Sequence, residues 1–222
     1  MASRRRLLLC FLLALPLVAL AAPPAEAGCG GVERFHARKN VGPGRPPLAI
    51  GDSVMLGAAK QLAAEGFDVN VHGCRQMTEG LRLLRARRRA GNLPEVVVVA
   101  LGANWVIKPS EIRAALRTLG ARRSLGLVTP REDGGGSGSD ARVVRAAGRH
   151  FPNRVKVLDW VAYSRGHGGW FAGDGLHLGP AGARGLARLL HRAFKLITPL
   201  RDRWDRLGSS RSGDALASAP PA

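Results

Sequence analysis

The stretch EVVVVAL, Glu95 to Leu101, limits what this chain can fold into more than any other. A strand with one wet face alternates apolar and polar residues. Four consecutive valines instead need apolar neighbours on both faces, as in a central strand with helices packed above and below. The flanking sequence supplies the partners. Leu48 to Ile50, Phe67 to Val71, Ser124 to Val128 and Val155 to Leu158 read as further strands. Between them, Val54 to Glu65, Thr78 to Ala90, Ser110 to Leu119 and a segment ending near His150 carry helical spacing. Ser110, and either Ser139 or Asp140, stand where caps belong. A last helix begins at Pro180, proline being favoured at the first helical position, and reaches about Phe194. Strands alternating with helices make βαβ units. The expected fold class is therefore α/β, a three-layer α/β/α sandwich around a five-stranded parallel sheet.

The ends read differently. Arg4, Arg5 and Arg6 precede an apolar run from Leu7 to Ala22, and Ala25-Glu26-Ala27 follows as a small-residue cleavage site. This is the pattern of a secretory signal over residues 1–27, too short to suit a membrane span. Residues 28–47, rich in Gly, Pro and charge, read as an extended lead-in with no element of its own. The folded domain is expected over 48–207 and a low-complexity, disordered tail over 208–222. Cys10 leaves with the signal. Cys29 and Cys74 remain, and two cysteines in an exported chain suggest one disulfide, the alternative being two free thiols.

Lys and Arg number 34 against 16 Asp and Glu, a net charge of +18. Such a balance permits contact with anionic polymers without choosing among them. Arg82, Arg85, Arg87, Arg88 and Arg89 share one helix, which reads either as a solvated face or as a binding surface. No aromatic residues interleave with them and no nucleic-acid motif is present. Export also argues against a nucleic-acid partner.

In open α/β sheets the ligand site lies off the carboxyl ends of the strands. Four loops qualify. The first holds Gly51-Asp52-Ser53, where Ser53 is either a plain helix cap or an accessible nucleophile. The second, VHGCRQM, offers the Gly73 N–H, and the third, LGANW, the Asn104 amide. Each of these two could donate to an oxyanion or merely satisfy a turn. The fourth, WFAGDGLHLGP, puts Asp174 three residues before His177, a spacing that lets the carboxylate reach Nδ1 and leaves Nε2 free. Asp52, Asp174 and His177 as metal ligands is a further reading, without a recognisable ligand motif.

In order and at the correct strand ends, the four blocks resemble the SGNH, or GDSL-type, hydrolases. Ser53 matches in GDS, Gly73 in the second block, Asn104 in GAN, and Asp174 with His177 in DGLH. The likeness runs from about Leu48 to Leu190. IGDSVMLGA, LPEVVVVALGAN, VLDW and GDGLHLGPAGA look most like the extracellular SGNH domains fused to, or working beside, membrane acyltransferases that O-acetylate cell-wall polymers. The resemblance implies the flavodoxin-like SGNH fold and a secreted serine esterase or O-acetyltransferase. In that role Ser53 is nucleophile, His177 base and Asp174 its orienting partner. The oxyanion donors are the Ser53 and Gly73 N–H groups and the Asn104 amide. It implies no cofactor and no metal, an O-acyl ester of cell-wall polysaccharide as substrate, and a membrane acyltransferase as working partner. Trp105 departs from the pattern, since such domains often have glycine after the asparagine.

Overall fold

The computed structural model describes residues 29–195. The signal segment and the tail expected from the sequence lie outside these residues.

Among the described residues six strands form one sheet: β1 (Glu33–Phe35), β2 (Leu48–Gly51), β3 (Asp68–Val71), β4 (Val96–Ala100), β5 (Ser124–Val128) and β6 (Val155–Leu158). Their order is β1-β3-β2-β4-β5-β6. The last five are parallel, as the sequence implies. The sixth is a correction. The lead-in contains a strand, β1, which pairs antiparallel with β3 through Glu33↔Val71 and Phe35↔Val69. Three residues with charge on both sides carry no period to read. The unpaired edge of β3 supplies the reason for the strand, since an open edge is a row of unsatisfied N–H and C=O groups. Just beyond β1, the Ala37 N–H donates to the Asp68 carboxylate at 3.0 Å.

Both faces of the sheet are covered. Val97 and Val99 point into one core with Leu48, Ile50 and residues of α3 (Met77–Arg89), α4 (Pro109–Leu119) and α5 (Ser139–His150). Val98 points into the other, with Ala49, Val69 and Val71. There it meets α1 (Ser53–Leu56), α2 (Ala59–Ala64) and a final helix, α7, described over 180–195. The valine run is continuous because each successive residue feeds the opposite core. Each valine so buried contributes about 1.5–3 kcal/mol.

Helix starts differ from the sequence reading in three places. Pro109 itself begins α4, Lys108 is the cap residue, and the Glu111 carboxylate accepts the Lys108 N–H at 2.9 Å, so Ser110 is not the cap. Gly138 caps α5 without a side-chain bond, and neither Ser139 nor Asp140 does so. Asp140 is buried and accepts the N–H of Ile107 at 3.0 Å, tying down the loop after β4. The helix expected over 54–65 is broken into α1 and α2 around Gly57. The connection after β6 also holds structure: α6 (Trp160–Tyr163) and a 3₁₀ turn, Gly168–Trp170.

From β2 the chain steps outward to β3, then crosses back to place β4 on the other side of β2. That reversal opens a crevice at the carboxyl ends of β2 and β4, the place where such sheets hold ligands.

Candidate active site

Strand β2 ends at Gly51, and its exit brings two adjacent polar side chains to the crevice. They part at once. Asp52, 2% exposed, turns inward and is the cap of α1, accepting the Val54 N–H at 3.1 Å. Burial pushes its carboxyl up to about 6, against hydrogen bonds from the Val54 and Ala103 N–H groups that pull it down. Ser53 is left as the first helical residue, with its hydroxyl outside the capping arrangement.

That hydroxyl meets the loop before α7. Ser53 Oγ lies 3.0 Å from His177 Nε2, across 124 residues of sequence. The other ring nitrogen, Nδ1, lies 2.6 Å from Asp174 Oδ2. The second oxygen, Oδ1, accepts from the N–H groups of Leu176 at 2.9 Å and His177 at 3.0 Å. These two backbone bonds and the His177 ring hold the Asp174 carboxyl down to about 2, so it is ionised at any working pH. An anion beside Nδ1 fixes the proton there and leaves the Nε2 lone pair facing the serine. Ser53, His177 and Asp174 are thus brought into one hydrogen-bonded line.

Among the described residues no hydrogen bond joins Asn104 or Gly73 to that line. Asn104 follows β4, one residue past Ala103, whose N–H holds the Asp52 carboxylate. The Asn104 Nδ2 is buried and has no protein partner among the described residues. Such an amide costs about 1–3 kcal/mol unless something else accepts from it. Gly102, at φ 121°, makes the sharp exit that brings the loop there, and a side chain at that position would run into Ile107 and Pro130.

Gly73 sits in the turn after β3, where the Arg75 N–H bonds to the His72 carbonyl at 3.2 Å. A Cβ on Gly73 would lie 2.5 Å from the carbonyl oxygen of Cys29, so only glycine fits. Cys29 is there because it is disulfide-bonded to Cys74, itself held at φ 57°. The bridge ties the lead-in to this turn.

Several supporting residues escape a sequence reading. Arg75, 2% exposed, donates to the Gly51 carbonyl at 3.2 Å, to the Asn70 backbone carbonyl at 2.6 Å and to Asn70 Oδ1 at 2.8 Å. It also pairs with Glu79 at 2.9 Å, and Glu79 in turn meets His72 Nδ1 at 3.0 Å. Burial would raise the Glu79 carboxyl, but the bonds from Arg75 and His72 outweigh it and hold it below its usual range. The only local sign is an Arg–Glu pair four apart, which usually marks a surface helix pair.

Arg131 opens REDGGGSGSD, Arg131 to Asp140, whose run of glycines and serines reads in the sequence as a flexible loop. The structure docks that segment instead. Arg131 donates to the Gly175 carbonyl and to Ser164 Oγ, each at 3.0 Å, and lies 4.0 Å over the Phe171 ring. The Gly134 N–H donates to the Asp174 carbonyl at 2.9 Å. Gly175, at φ 68°, approaches the Gly134 backbone so closely that a Cβ would meet it at 3.0 Å.

Among the described residues no group of three His, Cys, Asp or Glu side chains is arranged to hold a metal ion. Asp52, the third ligand in the metal reading, is committed to backbone N–H groups.

No protein-family model matches the chain. YrhL of Bacillus subtilis (strain 168), to which peptidoglycan O-acetyltransferase activity is ascribed, is 30% identical over 150 residues, covering 67% of this chain and 23% of its own. The chain thus spans about a quarter of the length of the curated relatives it matches. Among solved structures, the C-terminal catalytic domain of Streptococcus pneumoniae peptidoglycan O-acetyltransferase A, carrying a methylsulfonyl adduct, superposes with a TM-score of 0.58 at 22% identity. The match covers 70% of this chain and 95% of that one. A Clostridium thermocellum family 3 carbohydrate esterase superposes with a TM-score of 0.53 at 13% identity, covering 71% and 100%.

Proposed function

The chain is an SGNH-type domain, most like those linked to O-acyltransferases, and on that premise we propose that it transfers acyl groups from O-acyl esters of cell-wall polysaccharide through an acyl-serine. The observation that carries this reading is the hydrogen-bonded line from Asp174 through His177 to Ser53.

In this mechanism Ser53 Oγ attacks the acyl carbon while its proton passes to His177 Nε2. The carbonyl π pair moves to oxygen, and the resulting oxyanion takes hydrogen bonds from the Ser53 and Gly73 N–H groups and the Asn104 amide. The unpartnered Asn104 Nδ2 supports that assignment, because an oxyanion would supply its missing acceptor. Collapse expels the sugar hydroxyl, which leaves with the proton held on Nε2. A second hydroxyl then attacks the acyl-serine, gives its proton to His177, and restores Ser53. Water as that acceptor makes the protein an esterase and a polysaccharide hydroxyl makes it a transferase. Asp174, ionised throughout, orients the ring and stabilises the imidazolium at each step. No step calls on a metal or cofactor. The reaction belongs outside the cytoplasm, beside a membrane acyltransferase that delivers acyl groups. The amino-terminal pattern and the peptidoglycan-directed relatives support that placement.

The test uses purified protein with p-nitrophenyl acetate and with O-acetylated peptidoglycan fragments. Turnover of both, abolished in Ser53→Ala, and labelling of Ser53 alone by a serine-reactive phosphonate are expected. Turnover retained in the alanine variant, or label on another residue, sinks the assignment.

A further inference from the structure

We propose that Trp105 is a stacking platform for the sugar ring that carries the ester, and so sets specificity for saccharide esters over small ones. This rests on the reading of the site as acting on O-acyl polysaccharide.

Among the described residues only three large hydrophobic side chains are exposed, and two of them are adjacent: Trp105 at 63% and Val106 at 54%. They follow Asn104 directly, so the indole is presented one residue from the amide assigned to the oxyanion. Covering an indole left in water would release free energy, which makes it available to a ligand with an apolar face.

The loop that presents it is held at both ends. On one side the Ala103 N–H is bonded to the buried Asp52 carboxylate, the residue before Ser53. On the other, the Ile107 N–H is bonded to the buried Asp140 carboxylate at 3.0 Å, and the Ile107 side chain is buried against Gly102. Trp105 therefore projects from a short segment clamped between two carboxylates that anchor backbone. A platform fixed in place loses little freedom when a ligand binds.

The size of the patch selects the ligand. A protein partner needs roughly 800 Å² on each side. One indole and one valine offer far less. They do match one face of a hexose, whose axial C–H groups pack on an aromatic ring while its rim hydroxyls stay wet. A sugar ring seated there would direct its acyl ester toward Ser53. A small aliphatic ester such as vinyl acetate has no ring to seat, so it gains nothing from the platform.

The experiment compares wild type, Trp105→Ala and Trp105→Phe on O-acetylated peptidoglycan fragments and on vinyl acetate, a small ester without a ring. The ratio of kcat/KM between the two substrates should drop at least tenfold in the alanine variant, through KM, and largely recover in the phenylalanine variant. An unchanged ratio overturns the proposal. A parallel titration with a non-acetylated glycan oligomer, read by isothermal titration calorimetry, should give a saturable heat in wild type and Trp105→Phe but not in Trp105→Ala. Failure of the acetylated glycan as a substrate, with glycan binding retained through Trp105, would count against the reaction assigned to the site and not against the platform. A glycan that binds neither wild type nor variant overturns the platform itself.

Discussion

The Arg131 Nε–H donates to the carbonyl of Gly175 at 3.0 Å, so a residue just past β5 holds the turn that carries Asp174 and His177. The same guanidinium reaches Ser164 Oγ and covers Phe171, which fixes its own position. Arg131→Gln keeps a polar side chain but loses the fork and the ring contact. Small displacements of a reacting group can cost as much as about 10² in rate. The variant should lose between about tenfold and 10²-fold in kcat with KM nearly unchanged. Steady-state kinetics check this, and a change confined to KM would show that Arg131 acts on substrate directly.

Asn104→Ala removes a buried amide whose nitrogen has no protein partner among the described residues. Rate should fall by about 10²–10³ if that amide serves the oxyanion. Thermal stability should hold or rise slightly, because no hydrogen bond of Nδ2 is lost. Rate measured beside melting temperature separates this from a turn-forming role, which would lower stability and leave most of the rate.

Two carboxylates have opposite pH behaviour. Asp52 has its folded value raised to about 6, chiefly by burial, so its neutral form suits the fold. Its contribution is fully present below the ordinary carboxylate range and is lost as pH rises through about 6, a cost of about 3 kcal/mol at neutral pH. Denaturant unfolding of Asp52→Asn, which cannot titrate there, should show its deficit against wild type growing as pH falls from 7 to 4. A deficit that does not change with pH overturns this.

Asp174 is lowered to about 2, first by the Leu176 backbone bond and next by His177, so it stays charged across the acid limb of activity. In Asp174→Asn kcat/KM should fall at least 10²-fold at every pH where wild type is active, since an uncharged partner no longer holds the ring's tautomer or stabilises the imidazolium formed in the transition state. A pH–rate profile of kcat/KM decides it.

The Cys29–Cys74 bridge spans 45 residues and fixes the turn holding Gly73. The chain-entropy model gives about 4 kcal/mol at most for a loop of that size. Reduction, or Ser at both positions, should lower the melting temperature and also kcat, because Cys29 packs directly on Gly73. Calorimetry and kinetics on the oxidised and reduced protein test this, and unaltered kcat would make the bridge purely structural.

Whatever is encoded by near neighbours was legible in the chain itself. The valine run set the buried central strand, the alternation of strand and helix patterns set the parallel sheet, and the ends of those strands singled out Ser53, Gly73, Asn104, Asp174 and His177. Period and turn chemistry act over a few residues, and each of these features lies within such a span. What tertiary structure alone decided is made by contacts with no local period. Strand β1 exists because β3 has an open edge. Asp52, not Ser53, caps α1, because burial beneath the Ala103 loop turns its carboxylate inward. Arg75 and Arg131 look like surface charge in the sequence, yet each satisfies backbone carbonyls far along the chain, from Gly51 in one case and Gly175 in the other. A hydrogen bond between a side chain and a distant carbonyl leaves no pattern at either end, so only the folded chain reveals it.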